Sequence, residues 1–266
     1  VIPSFVDWSW CAERADELVL ADVRWYFDKP GLSAYESGHI PGAVFIDLDR
    51  DLAGAAGGVA GRHPLPEPDV FADAMGRAGI DGRKPLVAYD DAGGVIAARL
   101  VWMLRVLGHD AALLDGGLQS YPGALETAAP MVEPVAFSAC PWPPDVVASI
   151  DDVAAFGGVL LDARPRDRFH GLGADVDPRR GHIPGAVSVP CRENLDPSGR
   201  LRPRDELRAI FEAAGVDGER AVISYCGSGV TACHNLLALE HAGLGSGKLF
   251  PGSWSGWSAD PRRPIE

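Results

Sequence analysis

Nowhere does the sequence run through the ~18 consecutive apolar residues that a membrane-spanning helix needs. Its most hydrophobic helical stretch, residues 95–107, carries Arg99 and Arg105, which hydrocarbon would penalise. No membrane is expected as a partner. Positive charge is short as well: 24 Lys and Arg against 37 Asp and Glu leave a formal net charge of -13. The basic face on which nucleic-acid binding relies is therefore missing, and no nucleic acid is expected either. Cysteine is sparse. Cys11, Cys140, Cys191, Cys226 and Cys233 are odd in number and widely spaced, with no Cys-x-x-Cys pair, which suits neither a disulfide framework nor a structural zinc site. Reduced thiols, a cytoplasmic location and a chain without metal or other cofactor follow as expectations. The opening residues also lack the basic start of a secretory signal, and Glu13, Arg14 and Asp16 interrupt the place of its apolar core. Secretion is not expected, and a chain beginning at Val1 reads as an incomplete N-terminus.

What is present is ordinary for a folded protein: 47% hydrophobic and 23% charged residues over 266 positions exclude disordered and fibrous classes and favour two domains over one. The chain repeats itself. Gly38-His39-Ile40-Pro41-Gly42-Ala43-Val44 returns unchanged as Gly181-His182-Ile183-Pro184-Gly185-Ala186-Val187, 143 residues later. The apolar run at 18–24 matches that at 159–164. Ala78-Gly79-Ile80-Asp81-Gly82 matches Ala214-Gly215-Val216-Asp217-Gly218, each ahead of a short strand at 86–89 or 221–225. Strand-like runs bounded by Gly and Pro alternate with helical periods, such as Ile96, Leu100, Met103, Leu104 and Leu107, and a second helix is expected at 231–241. The fold class is thus α/β, two tandem units each built on a mostly parallel sheet flanked by helices. The expected bounds are 1–129 for the first unit, 130–144 for a Pro-rich extended linker and 145–266 for the second. Positive charge is distributed unevenly between the halves. Residues 1–133 hold 10 Lys and Arg against 20 Asp and Glu and residues 134–266 hold 14 against 17, so a small anion is better received in the second half.

The copies differ where chemistry belongs. Val87-Ala88-Tyr89-Asp90-Asp91 aligns with Ile223-Ser224-Tyr225-Cys226-Gly227, followed by Ser228-Gly229-Val230-Thr231-Ala232, so Cys226 stands where the first unit has Asp90. The carboxyl end of a parallel strand is where open α/β sheets bind ligands. A glycine-bearing loop at a helix start lets backbone N–H groups converge on a thiolate or a bound anion. An inert core cysteine, the commonest role of a free thiol, needs no such turn, so Cys226 is the expected nucleophile.

The paired His-Ile-Pro-Gly-Ala motifs and the Cys-Gly-Ser-Gly-Val-Thr-Ala loop resemble the two-domain rhodanese superfamily over nearly the whole chain. The small neutral Gly227 and Ser228 make the loop most similar to that of the 3-mercaptopyruvate sulfurtransferases; thiosulfate sulfurtransferases usually carry Arg and Lys there. The resemblance implies a catalytic second domain and a degenerate first one, in which Asp90 replaces the nucleophile. Sulfur would pass from a small donor, 3-mercaptopyruvate or thiosulfate, through a Cys226 persulfide to cyanide or to a thiol such as thioredoxin or a small thiol. It further implies Ser228 working with a histidine and an aspartate of the first unit, matched to His39 and Asp28. Arg168 and Arg179, with Arg180 as the alternative to the latter, would bind substrate beside the loop residues Gly227, Gly229, Val230 and Thr231. Most arginines of 164–180 are expected to pair instead with Asp162, Asp167, Asp175 and Asp177.

Three other readings are weighed. A phosphatase would need Arg six positions after the cysteine, where Ala232 stands. A non-turnover persulfide carrier or binding module is disfavoured by the intact loop. Zinc on Cys233 and His234 would need closely grouped ligands, and Cys233 is expected to pack within its helix. The tail Pro251-Gly252-Ser253-Trp254-Ser255-Gly256-Trp257 has Pro251 where the family has Asp, and its aromatics either pack beside the active loop or wall the pocket.

Overall fold

A computed structural model describes residues 1–172 and 176–266. The chain divides into two compact units that are not contiguous in sequence. Unit 1 holds residues 1–53, 66–142 and 197–201, and unit 2 holds 54–65, 143–196 and 202–266.

Among the described residues of unit 1, β1 (Phe5–Val6), β2 (Val19–Asp22), β3 (Val44–Phe45), β4 (Leu86–Tyr89) and β5 (Ala111–Leu114) form one parallel sheet in the order β1-β5-β4-β2-β3. Unit 2 repeats the plan with β6 (Val159–Asp162), β7 (Val187–Ser188), β8 (Val222–Tyr225) and β9 (Lys248–Leu249), ordered β7-β6-β8-β9. A lone parallel bridge, Val147 to Leu249, takes the place of β1 there. Register is conserved between copies: Asp22 pairs with Tyr89, and Asp162 with Tyr225. β4, β5, β6 and β8 are buried at every position, as the continuous apolar runs of a sheet covered on both faces require. The helices expected after β4 and β8 are Ala98–Val106 and Ala232–His241.

The repeated heptapeptide has a structural cause. Asp22, fully buried at the end of β2, holds Arg24 through Nε and Nη2, and Arg24 Nη2 also donates to Gly38 O at 2.7 Å. In unit 2, Arg164 bonds Asp162 and donates to Gly181 O at 2.8 Å in the same way. Tyr89 Oη accepts from Ile40 N–H, and Tyr225 Oη from Ile183 N–H. Each His-Ile-Pro-Gly-Ala segment is thereby fixed to the strand ends by buried charge and backbone bonding.

Residues 130–142 carry neither helix nor strand and belong to unit 1. Val135 N–H donates to Gly76 O, the Phe137 ring meets Phe71 and His109, and Trp142 Nε1–H donates to Pro66 O. No helix among the described residues is long and apolar enough to cross a membrane.

Candidate active site

β8 delivers Tyr225 to the top of its sheet, and the chain turns sharply through Cys226, Gly227, Ser228 and Gly229 before the helix begins. Gly229 has φ +80°, and a Cβ there would lie 2.6 Å from Pro251 O, so both conformation and space demand glycine. Its N–H donates to Cys226 Sγ at 3.1 Å. Cys226 is only 2% exposed, and that amide turns the positive end of its dipole to the buried sulfur.

The loop is fastened by the Ser253–Ala259 helix. Cys226 N–H donates to Ser253 Oγ, Trp254 N–H to Cys226 O, and Ser255 N–H to Gly227 O. Ser253 is the one non-glycine residue with positive φ among those described, at +51°. Its conformation costs about 1–3 kcal/mol. The buried hydroxyl offsets that cost by accepting from Cys226 N–H and donating to Phe250 O at 2.9 Å. Trp254 and Trp257 are buried in the unit 2 core, with Arg164 over the Trp254 ring, so the tail aromatics pack beneath the loop.

Residues 54–65 bring further chemistry to the loop. Gly61 (φ +84°) passes so close to the same helix that a Cβ would lie 2.5 Å from Gly252 O, and Arg62 N–H donates to Ser255 Oγ at 3.1 Å. The turn presents two side chains. His63 Nδ1 lies 2.8 Å from Ser228 Oγ, both residues being buried. Arg62 reaches Gly227, where an added Cβ would stand 2.9 Å from Arg62 Nη2 and 3.5 and 3.6 Å from Arg168 Nη2 and Nη1. Both guanidiniums are therefore over the residue that follows the nucleophile, and both are joined to Asp177.

Three expectations change. His39 is fully buried in unit 1, stacked on Tyr35 with ring centroids 3.8 Å apart, its Nδ1 on Tyr35 O at 2.8 Å and its Nε2 3.7 Å from Glu126. His182 repeats this arrangement on Phe169. The motif histidine is a structural pin in both copies, and the imidazole on Ser228 is that of His63. Arg179 is likewise committed elsewhere. Nε donates to Ser258 O, Nη1 to Arg263 O, and Nη2 to Trp257 O and Asp260 O, clamping the C-terminal tail. The second guanidinium beside Arg168 is Arg62. Asp28 is exposed on the loop before the Gly31–Ser37 helix. Arg180 is also exposed. Of the aspartates expected to pair with arginines, Asp162 and Asp177 do so, and Asp175 lies outside the described residues.

Two further thiols lie beside the loop. Burial, reinforced by the neighbouring Cys226, pushes the Cys191 thiol up to about 12. Cys233, in the first turn of the helix, donates through Sγ to the loop carbonyl of Gly229, and burial pushes His234 down to about 3, leaving it neutral. No group of three or more His, Cys, Asp or Glu side chains that could hold a metal occurs among the described residues. In unit 1 the equivalent loop is filled from within. The buried Asp90 carboxylate accepts from Ala92 and Gly94 N–H on one oxygen and from Ile96 and Ala97 N–H on the other, at 2.7–2.9 Å. Burial raises its pKa and those four donors oppose the rise.

The rhodanese-like domain family matches residues 7–124 and 145–260. This chain belongs to that family. The rhodanese-like chain is 41% identical over 265 residues to a Pseudomonas aeruginosa protein named a probable 3-mercaptopyruvate sulfurtransferase, covering 94% of this chain and 92% of that one. A Mycobacterium tuberculosis protein that carries a thiosulfate sulfurtransferase name is 38% identical, over 95% of this chain and 92% of its own length. The crystal structure of the Escherichia coli 3-mercaptopyruvate sulfurtransferase is similar with a TM-score of 0.84 at 38% identity, over 96% of this chain and 100% of that one.

His63 and Arg62 escaped the sequence reading because they lie far from the Cys226 loop along the chain. Gly61-Arg62 returns as Gly199-Arg200 ahead of the second copy's helix, but Leu201 stands in the place of His63. A histidine and an arginine side by side in a glycine-rich insertion of a net acidic half were the available signal.

Proposed function

We propose that the chain is a sulfurtransferase that takes sulfur from 3-mercaptopyruvate onto Cys226 and passes it to a thiol or to cyanide. The reading is carried by one observation, the sulfur of Cys226 receiving the Gly229 amide in the same loop that places Ser228 on His63. The Cys226 thiolate attacks the donor sulfur. The new S–S bond forms as the C–S bond breaks, and the electron pair leaves toward the carbonyl as the enolate of pyruvate, which then takes a proton at carbon. Ser228 Oγ–H, oriented by His63, supplies a hydrogen bond to the oxygen where negative charge develops. The loop amides through Thr231 cradle the terminal sulfur of the persulfide, and a small thiol or a thioredoxin-type protein removes it in the second half of a ping-pong cycle. The 145–266 region is the catalytic copy. The first copy, its nest already taken by Asp90, has no nucleophile there. Five cysteines without a disulfide suit the reducing cytoplasm.

Thiosulfate is the second donor to consider, because two guanidiniums near the thiol also suit a dianion. Steady-state kinetics on both donors decide: turnover with 3-mercaptopyruvate is expected to exceed that with thiosulfate many-fold, and the reverse order would overturn the donor assignment. Mass spectrometry after donor treatment should add one sulfur to the wild type and none to Cys226→Ser. An unturned persulfide in the presence of excess thiol would indicate a carrier instead.

A further inference from the structure

The two guanidiniums above Gly227 already have a carboxylate. Arg168 Nη2 donates to Asp177 Oδ2 at 2.6 Å, and Arg62 Nη1 bonds Asp177 Oδ1 and, at 3.2 Å, Val176 O. The Asp177 side chain is 5% exposed and the two arginines 29% and 21%, so the trio is largely withdrawn from water. Each carboxylate oxygen faces a different guanidinium, the two-oxygen mode in which such a pair grips any carboxylate. One donor remains unspent: Arg62 Nε is buried and has no hydrogen-bond partner among the described residues. A buried N–H without a partner is costly and marks a place where a ligand oxygen would be stabilising. Asp177 is joined through only Pro178 to Arg179, whose guanidinium is anchored on four carbonyls. The aspartate thus hangs from a fixed point.

We infer that Arg62 and Arg168 form the subsite for the donor's carboxylate and that Asp177 occupies it in the resting protein, so that substrate enters by exchanging one carboxylate for another. This rests on the proposed use of a carboxylate-bearing donor. It adds Arg62 as a specificity-determining residue and gives Asp177 the role of an internal competitor. Because two cations are shared by one anion, an incoming carboxylate replaces the pair's partner without leaving either guanidinium uncompensated, and only the displaced Asp177 must find water. The exchange disfavours neutral donors, which cannot repay the broken ion pairs.

The test uses the full chain and Asp177→Asn, which keeps the shape and removes the charge, with Arg62→Gln as the second variant. KM for 3-mercaptopyruvate is expected to fall roughly three- to tenfold in D177N and to rise at least about tenfold in R62Q. A second readout is independent of turnover: the rate of Cys226 alkylation by iodoacetate divided by that by iodoacetamide, two reagents that differ in the carboxylate. The ratio cancels any change in thiol reactivity itself. It should rise in D177N and drop in R62Q and R168Q. A wild-type KM and a wild-type alkylation ratio in D177N would overturn the inference. Altered ratios in a protein that does not turn over 3-mercaptopyruvate would uphold the anion subsite and sink the proposed donor instead.

Discussion

At the residue scale the candidate site consists of a sulfur, a hydroxyl and an imidazole, the last two paired with each other. In the proposed mechanism, removing the Ser228 hydroxyl deletes a donor to the developing enolate oxygen, and losses of about 10²–10³ in kcat accompany removal of such a donor. Ser228→Ala should therefore lose that much activity with 3-mercaptopyruvate but less than about tenfold with thiosulfate, which has no carbonyl to stabilise. Equal losses on the two donors would refute the role. His63→Ala should follow Ser228→Ala, whereas His39→Ala should lower the melting temperature and leave kcat of the folded protein unchanged. His234 gives a pH prediction. Its folded pKa, about 3, lies below the ordinary 6.5 because burial excludes the charged ring. The unfolded chain then binds the proton more readily. Stability from this group is full above about pH 6.5 and declines as pH falls toward 3, by at most about 1.4 kcal/mol per pH unit. Urea midpoints measured across that window in wild type and His234→Gln should diverge with the wild type losing more on acidification.

At the scale of elements, the strand ends are held by buried ion pairs whose removal one partner at a time is expensive. Asp162→Ala would leave Arg164, 3% exposed, without its carboxylate, and such a change costs about 3–5 kcal/mol. Denaturant titration should show that loss; a loss under 1 kcal/mol would mean Arg164 finds another anion. The two strand-to-helix loops make the complementary point. After β4 the converging amides are satisfied by Asp90, so Asp90→Asn, which turns an amide donor toward backbone donors, should destabilise unit 1 by about 1–3 kcal/mol. After β8 one loop amide, that of Gly229, turns to the Cys226 sulfur, and Gly227 leaves room for the guanidiniums.

At the scale of the whole molecule, the compact units do not follow the sequence repeat. Residues 54–65 belong with unit 2 although they lie within the first copy, and they bring Arg62 and His63 with them. A chain begun at Pro143 retains Cys226, Ser228 and Arg168 but lacks those two residues. It is expected to lose turnover of 3-mercaptopyruvate to near background while iodoacetamide still alkylates Cys226. Full turnover by such a fragment would remove His63 from the mechanism.

What the sequence by itself determined is whatever short-range pattern encodes: the duplicated α/β plan, the continuous apolar runs of the central strands, the helices that follow them, and Cys226 at a strand end before glycines. Local sequence specifies these because periodicity, turn chemistry and burial act over a few neighbouring residues. Partners of side chains distant along the chain are another matter. His39 and Arg179 read as functional by their motifs, yet packing spends the first on Tyr35 and Glu126 and the second on four tail carbonyls. His63 reaches Ser228 across 165 positions, and Arg62 reaches Asp177 across 115. Only the folded chain decides which donors remain unspent, because a hydrogen bond is settled by geometry in three dimensions and sequence spacing leaves that geometry open.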